Sequence, residues 1–269
     1  MGLSPVAEVR LWQLALFPFI WCVFLMVGAA VIPPHGLPVF FRVGQEGVKA
    51  LALAGCLFAA LGFERGDYLR GAWLFNAGCF TCLLVRDLAL LPALSETANV
   101  AIVRALLSAV ANTLGGISAW RFGRAWSVAE LPDPDRRRLR AYVAMGILAL
   151  VLAAGSLLVH VRSALAGNLA SLVYIASELG DIVSLCLIAP VLPTALALRG
   201  GSLAWPWSML AVAFVGWLLY DAAAAFTGLM VVDDVLKHTL LEICRAVACL
   251  FTLASGVAQR RAAAVHAEA

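Results

Sequence analysis

Ten ionisable residues interrupt otherwise apolar stretches of this chain: Glu46, Lys49, Arg86, Asp87, Arg104, Glu178, Asp181, Asp221, Glu242 and Arg245. Six are carboxylates and four are cations. Carboxylates in apolar surroundings can take protons or cations; arginines there can hold an anionic group or neutralise the acids. The spacing adds detail. Glu178 and Asp181 stand three apart, so both carboxylates project from one helical face. Glu242 and Arg245 share that spacing and are expected to pair. Asp181 has no cation beside it in sequence. Asp87 and Asp221 recur in two halves of the chain, as described below. The candidate ligand-binding set is therefore Asp87, Arg104, Glu178, Asp181, Asp221, Glu242 and Arg245, with no catalytic residue assigned. A plainer role competes with this one. Charges near helix ends can snorkel to headgroups, and Asp/Arg pairs can simply lock helices together.

These residues are costly where they stand. An ionised group at the centre of a membrane helix costs about 2.5–3.5 kcal/mol on insertion scales. The chain has 269 residues, 63% hydrophobic and 13% charged, with mean hydropathy +0.95. A soluble domain carries about 25% charged residues, so lipid is the expected solvent. The net charge of +3 is then read by its side of the bilayer and gives no sign of nucleic acid. Eight segments are long and apolar enough to span, at about 20 residues each: 11–32, 44–63, 69–90, 101–120, 141–160, 172–196, 204–227 and 239–258. The second and eighth are the weakest, because they carry charges near their ends. The first run is too long for the hydrophobic region of a secretory signal and is expected to stay as a membrane helix. The N-terminus MGLSPV lacks the residue pattern of a myristoylation site.

Basic residues orient the chain. With the N-terminus in the cytosol, twelve of the 19 fall in cytosolic segments, among them Arg10, Arg65, Arg121, Arg136, Arg140, Arg199 and Arg260. Only Arg42, Arg162 and Lys237 fall outside. This asymmetry fits the positive-inside rule and puts both termini in the cytosol. Trp12, Trp73, Trp120, Trp126, Trp205 and Trp207 all fall at the expected inner interface, as an aromatic belt would. Of the basic residues 17 are Arg; with abundant Ala, that bias is associated with GC-rich bacterial genomes, so a bacterial inner membrane is expected.

A repeat organises the segments. Residues 65–87 and 199–221 align without a gap through Arg65/Arg199, Gly66/Gly200, Leu69/Leu203, Trp73/Trp207, Ala77/Ala211, Phe80/Phe214, Leu84/Leu218 and Asp87/Asp221. More weakly, Arg104 answers to Arg245 and Glu46 to Glu178. The expected fold is an all-α membrane bundle of eight transmembrane helices in two tandem, parallel four-helix repeats. The first repeat is 1–126, the second 141–269. Between them, residues 127–140 form an Arg-rich cytosolic junction in which Asp135 can cap a short basic helix. Arg136–Arg140 there could dock a protein partner or rest on anionic lipid.

At 1.5 Å per residue from the inner boundary, the ten charges share one layer roughly 30 Å up, near the outer edge of the hydrocarbon. If they face the bundle interior, they make a slightly acidic pocket open to the outside. The expected function is binding of a small solute or ion, in a transporter or a membrane sensor. The alternatives are an assembly subunit of a membrane complex and, less favoured, an intramembrane enzyme acting on lipid. Other chemistry is thin. The histidines stand at helix ends or in the tail, the lysines are not at mid-helix, and no phosphate loop or hydrolase motif occurs. No cofactor is expected. His160 with the acidic layer could hold a metal. The seven cysteines all lie in apolar segments and are expected as free thiols, with Cys79-x-x-Cys82 as packing residues. Asp233 and Asp234 read as a solvated loop face, and Pro190 and Pro193 as a kink in the sixth helix.

Overall fold

In the computed structural model the described residues are 5–88, 98–128, 135–167, short pieces between 171 and 187, 204–229 and 233–267. They are helical, with short turns and no strand. Seven helices have defined bounds: α1 (Pro5–Val31), α2 (Leu37–Ala60), α3 (Tyr68–Leu88), α4 (Ala98–Val128), α5 (Asp135–Leu165), α6 (Ala204–Leu229) and α7 (Asp234–Ala267). Helical residues recur between 171 and 187, where a sixth span is expected. Most of that span, with Pro190 and Pro193, lies outside the described residues. Among the described residues five helices are long and apolar enough to cross a membrane, namely α1, α2, α3, α6 and α7. The chain has the make-up of a multi-pass membrane protein.

Local sequence sets the helix ends. Gly36 precedes α2, and Pro38 occupies its first turn, where the missing N–H costs nothing. The start of α2 therefore lies seven residues before the expected position 44, which carries Glu46 and Lys49 to the third and fourth turns. Gly66 takes φ 97°, a left-handed conformation that glycine enters freely, and turns the chain into α3. The Asp67 carboxylate accepts from the Leu69 N–H at 2.7 Å and caps that helix. At α7 the Asp233 carboxylate accepts from the N–H groups of Val235 and Leu236 at 3.0 and 3.1 Å. Asp233 is thus a cap and not a plain loop residue. The basic stretch after Asp135 is no separate short helix: it is the first turns of α5.

Helix α2 packs between α3 and α7; α4 lies on α3, α6 and α1 on α7, and α5 on α6. The tightest crossing joins α2 to α7. Gly256 faces the Gly55 carbonyl so closely that a Cβ there would overlap it, and a Cβ on Gly55 would sit 2.6 Å from the Leu253 Cα. Small residues let membrane helices approach in this way, where dispersion replaces the hydrophobic drive. Ala52, Cys56 and Ala59 of α2 and Ala246, Cys249 and Leu250 of α7 are buried in the same core.

The two charge-bearing helices α2 and α7, with α6, are the most buried of the five spans, while the most apolar, α1, is the least buried. Lipid rewards apolar surface, but a helix enclosed by other helices need not be apolar all round. The expected aromatic belt divides for the same reason. Trp120 is exposed, but Trp73 and Trp207 are core residues, 1% and 6% exposed. Both rest edge-on against Phe122, with ring centroids 5.0 and 6.0 Å away. Two serines make similar bonds to the backbone of a neighbouring helix. Ser118 Oγ on α4 donates to the Ala72 carbonyl at 2.9 Å, and Ser255 Oγ on α7 to the Pro206 carbonyl at 2.6 Å. Ala72 and Pro206 are separated by the same 134 residues as Trp73 and Trp207.

Candidate functional site

The buried charges gather at one end of the bundle, where α2 and α7 begin and α3 ends. Glu46 and Lys49 stand about two and a half to three turns into α2. Lys49 is 1% exposed and its ammonium donates to Asp87 on α3. Arg86 donates to the same carboxylate through Nε at 2.6 Å and Nη2 at 3.1 Å, and Gln45 through Nε2 at 3.0 Å. Both Asp87 oxygens are thus occupied. Arg86 also reaches Ser108 Oγ on α4 at 3.2 Å. Ion pairs in apolar surroundings persist when the remaining donors and acceptors are satisfied, and Asp87 meets that condition.

A second group lies on α7 and α6. Glu242 accepts from Arg245, the pairing expected from their spacing. Arg245 also donates from Nη2 to the Tyr220 hydroxyl at 2.8 Å, with its guanidinium 4.9 Å from the centre of that ring. Both residues are buried. The two groups adjoin across the α2–α7 crossing, because Glu46 is in electrostatic reach of Arg245, and Glu242 of Lys49. His238 stacks on Phe41 at this end, with centroids 6.3 Å apart.

Of the seven candidate residues, Asp87, Glu242 and Arg245 are brought into this layer. Asp221 follows Tyr220 on α6 and is half-buried. Arg104 is exposed on α4, so it lines no interior site among the described residues. Its helix begins only six residues earlier, at Ala98, where a long side chain can extend past the core. Glu178 and Asp181 lie outside the described residues. Among the described residues Glu46, Asp87 and Glu242 face Lys49, Arg86 and Arg245, and Asp221 lies half-buried beside Tyr220. Three participants were not singled out from the sequence, Gln45, Ser108 and Tyr220, while Glu46, Lys49 and Arg86 were among the ten charges but not in the candidate binding set. The three-residue spacing of Glu46 and Lys49 was the available signal, repeated at Glu242 and Arg245. Nothing in the sequence marked Ser108 or Gln45.

The opposite end carries arginines of another kind. Arg121 on α4 donates to the Tyr68 carbonyl at 3.0 Å and stacks over the Tyr68 ring at 4.4 Å. Its guanidinium fills space left by Gly71, where a Cβ would come within 2.8 Å. Arg260 on α7 donates to the Leu61 carbonyl. The last turns of α4 and α7 therefore hold the two ends of the α2–α3 turn.

Every cysteine among the described residues is a free thiol, with Cys56 and Cys249 buried. Among the described residues no three His, Cys, Asp or Glu side chains are grouped as a metal site. Comparison with protein-family models, with curated proteins and with solved structures returns no match to this chain.

Proposed function

We propose that the chain is an inner-membrane protein of bacterial type that binds a small solute or ion at its charged layer, as a transporter or the membrane part of a sensor. The observation that carries this reading is the layer itself. Three helices, α2, α3 and α7, contribute ionic side chains that engage one another inside an apolar bundle, and α6 adds the Tyr220 hydroxyl. Intramembrane ionisable groups of that kind mark ligand and proton pathways by default. In this reading residues 1–126 and 141–269 are two parallel four-helix repeats. The similar serine bonds and the two tryptophans on Phe122 support the duplication. The arginine asymmetry supports cytosolic termini, with the charged layer toward the outside, and the Arg136–Arg140 junction is the place for a cytosolic partner.

One observation favours a second reading, a structural or assembly subunit. Asp87 and Glu242 are engaged by Lys49, Arg86 and Arg245, as a helix lock requires. Native mass spectrometry on protein gently extracted from its own membrane separates the two. A small-mass adduct on the wild type that is lost in Asp87→Asn supports binding at the layer. A co-purifying protein retained by that variant, with no adduct, supports the subunit.

A further inference from the structure

Glu46 is the carboxylate of the layer that its neighbours leave incompletely engaged. Asp87 is held by Gln45, Lys49 and Arg86 through both oxygens. Glu242 holds Arg245, which is further fixed by Tyr220. Among the described residues Glu46 has only a long ion pair, Oε1 to Lys49 Nζ at 3.5 Å, and its Oε2 is buried with no hydrogen-bond partner. An ionised oxygen in that position forfeits its hydration without replacement, a cost that protonation removes. The Glu46 side chain is also the most accessible of the three acids, at 20% against 5% for Asp87 and 8% for Glu242. A proton can reach it from the surface while the other two stay enclosed.

We propose that Glu46 is the proton-exchanging group of the layer: neutral in the observed arrangement, and, once ionised, competing with Asp87 for the Lys49 ammonium. The groups facing it define the competition. Lys49 comes from α2, Asp87 with its partners Gln45 and Arg86 from α3 and α2, and Arg245 with its partner Glu242 from α7, His238 lying nearer Glu242. Arg86 remains on Asp87 in either state, so Lys49 is the charge that can move. A Lys49 shared between two acids changes the junction of α2 with α3 without moving Arg245 off Glu242. The ligand class is thereby narrowed to a proton, alone or coupled to a solute. This deepening rests on the reading of the layer as functional, yet its test needs no solute.

Infrared difference spectroscopy on the protein in lipid, titrated over the pH range in which it stays folded, reads protonated carboxyl groups directly. The expected result is a carbonyl stretch of a protonated carboxylic acid that disappears as pH rises and shifts on deuteration. Glu46→Gln removes the band and Glu242→Gln keeps it. Glu46→Asp, which retains a carboxyl, keeps a band with a moved titration point and serves should the glutamine variant not fold. A titrating band that survives in Glu46→Gln, a Glu46→Asp titration identical to the wild type, or no such band in the wild type, overturns the proposal. Loss of the mass-spectrometric adduct reading would leave this result standing, because the two experiments observe different groups.

Discussion

Gly256→Ala is the sharpest perturbation the fold offers. The added Cβ would lie 2.6 Å from the Gly55 carbonyl carbon, against an optimum of about 3.5–4.0 Å for carbon pairs. The obstacle is backbone, so no rotamer relieves it, and α2 and α7 must part by about 1 Å. A gap of that size forfeits about a quarter to a half of the dispersion energy at each facing pair. Overpacking typically costs about 1–3 kcal/mol, offset by the gain of about 1 kcal/mol for replacing a mid-helix glycine with alanine. The net expectation is a loss of about 0–2 kcal/mol. Gly47→Ala on α2 is the control, because nothing lies within 4 Å of its added Cβ; it should gain about 0.5–1 kcal/mol from backbone entropy alone. Equilibrium unfolding in bicelles should therefore separate the two variants by about 2 kcal/mol. Equal stabilities, or a Gly256→Ala protein more stable than the wild type, would refute the close crossing. Lys49 is six residues from Gly55, about 9 Å along α2, so the same displacement should also disturb the charged layer.

The remaining expectations use the same assay or simple labelling. Arg245→Met strands the buried Glu242 and removes a donor from Tyr220; it should cost about 3–5 kcal/mol, most of it recovered in the double variant with Glu242→Leu. A double-mutant cycle without coupling would count against the pair. Ser118→Ala and Ser255→Ala should each cost about 0.6 kcal/mol, the typical worth of such a bond in a membrane, and should add when combined because they occupy different helix pairs. Unequal losses would weaken the duplicated design. Cysteines introduced for the exposed Arg65 and Ala166 should react with a membrane-impermeant thiol reagent from opposite sides of the membrane, Ala166→Cys from outside intact cells. The reverse pattern would invert the proposed orientation.

The residues alone determined where most helices run. Apolar length and the spacing of charges located α3 and α6 to within about two residues at both ends and α1, α2 and α4 to within about three at one end, because the bilayer selects segments by average hydropathy, whereas α5 and α7 run five or more residues past their expected spans at each end. The sequence also determined the Glu242–Arg245 contact, since a three-residue spacing places two side chains together on any helix. Which face a helix turns inward is another matter. That depends on how it rotates against its neighbours, and no single segment carries the information. Only the tertiary structure joined Lys49 and Gln45 to Asp87 and placed Arg245 on Tyr220. It left Arg104 exposed, although this residue appeared equivalent to Arg245. It moved Trp73 and Trp207 from an expected interface into the core, where close contact with Phe122 replaces the headgroup region as their surroundings. The early start of α2 follows from Gly36 and Pro38, a local signal easily outweighed by the polar residues just beyond it. The physical distinction is consistent throughout: average composition reports a helix's preference for lipid, whereas the α2–α7 crossing at Gly55 and Gly256 decides which of its side chains meet.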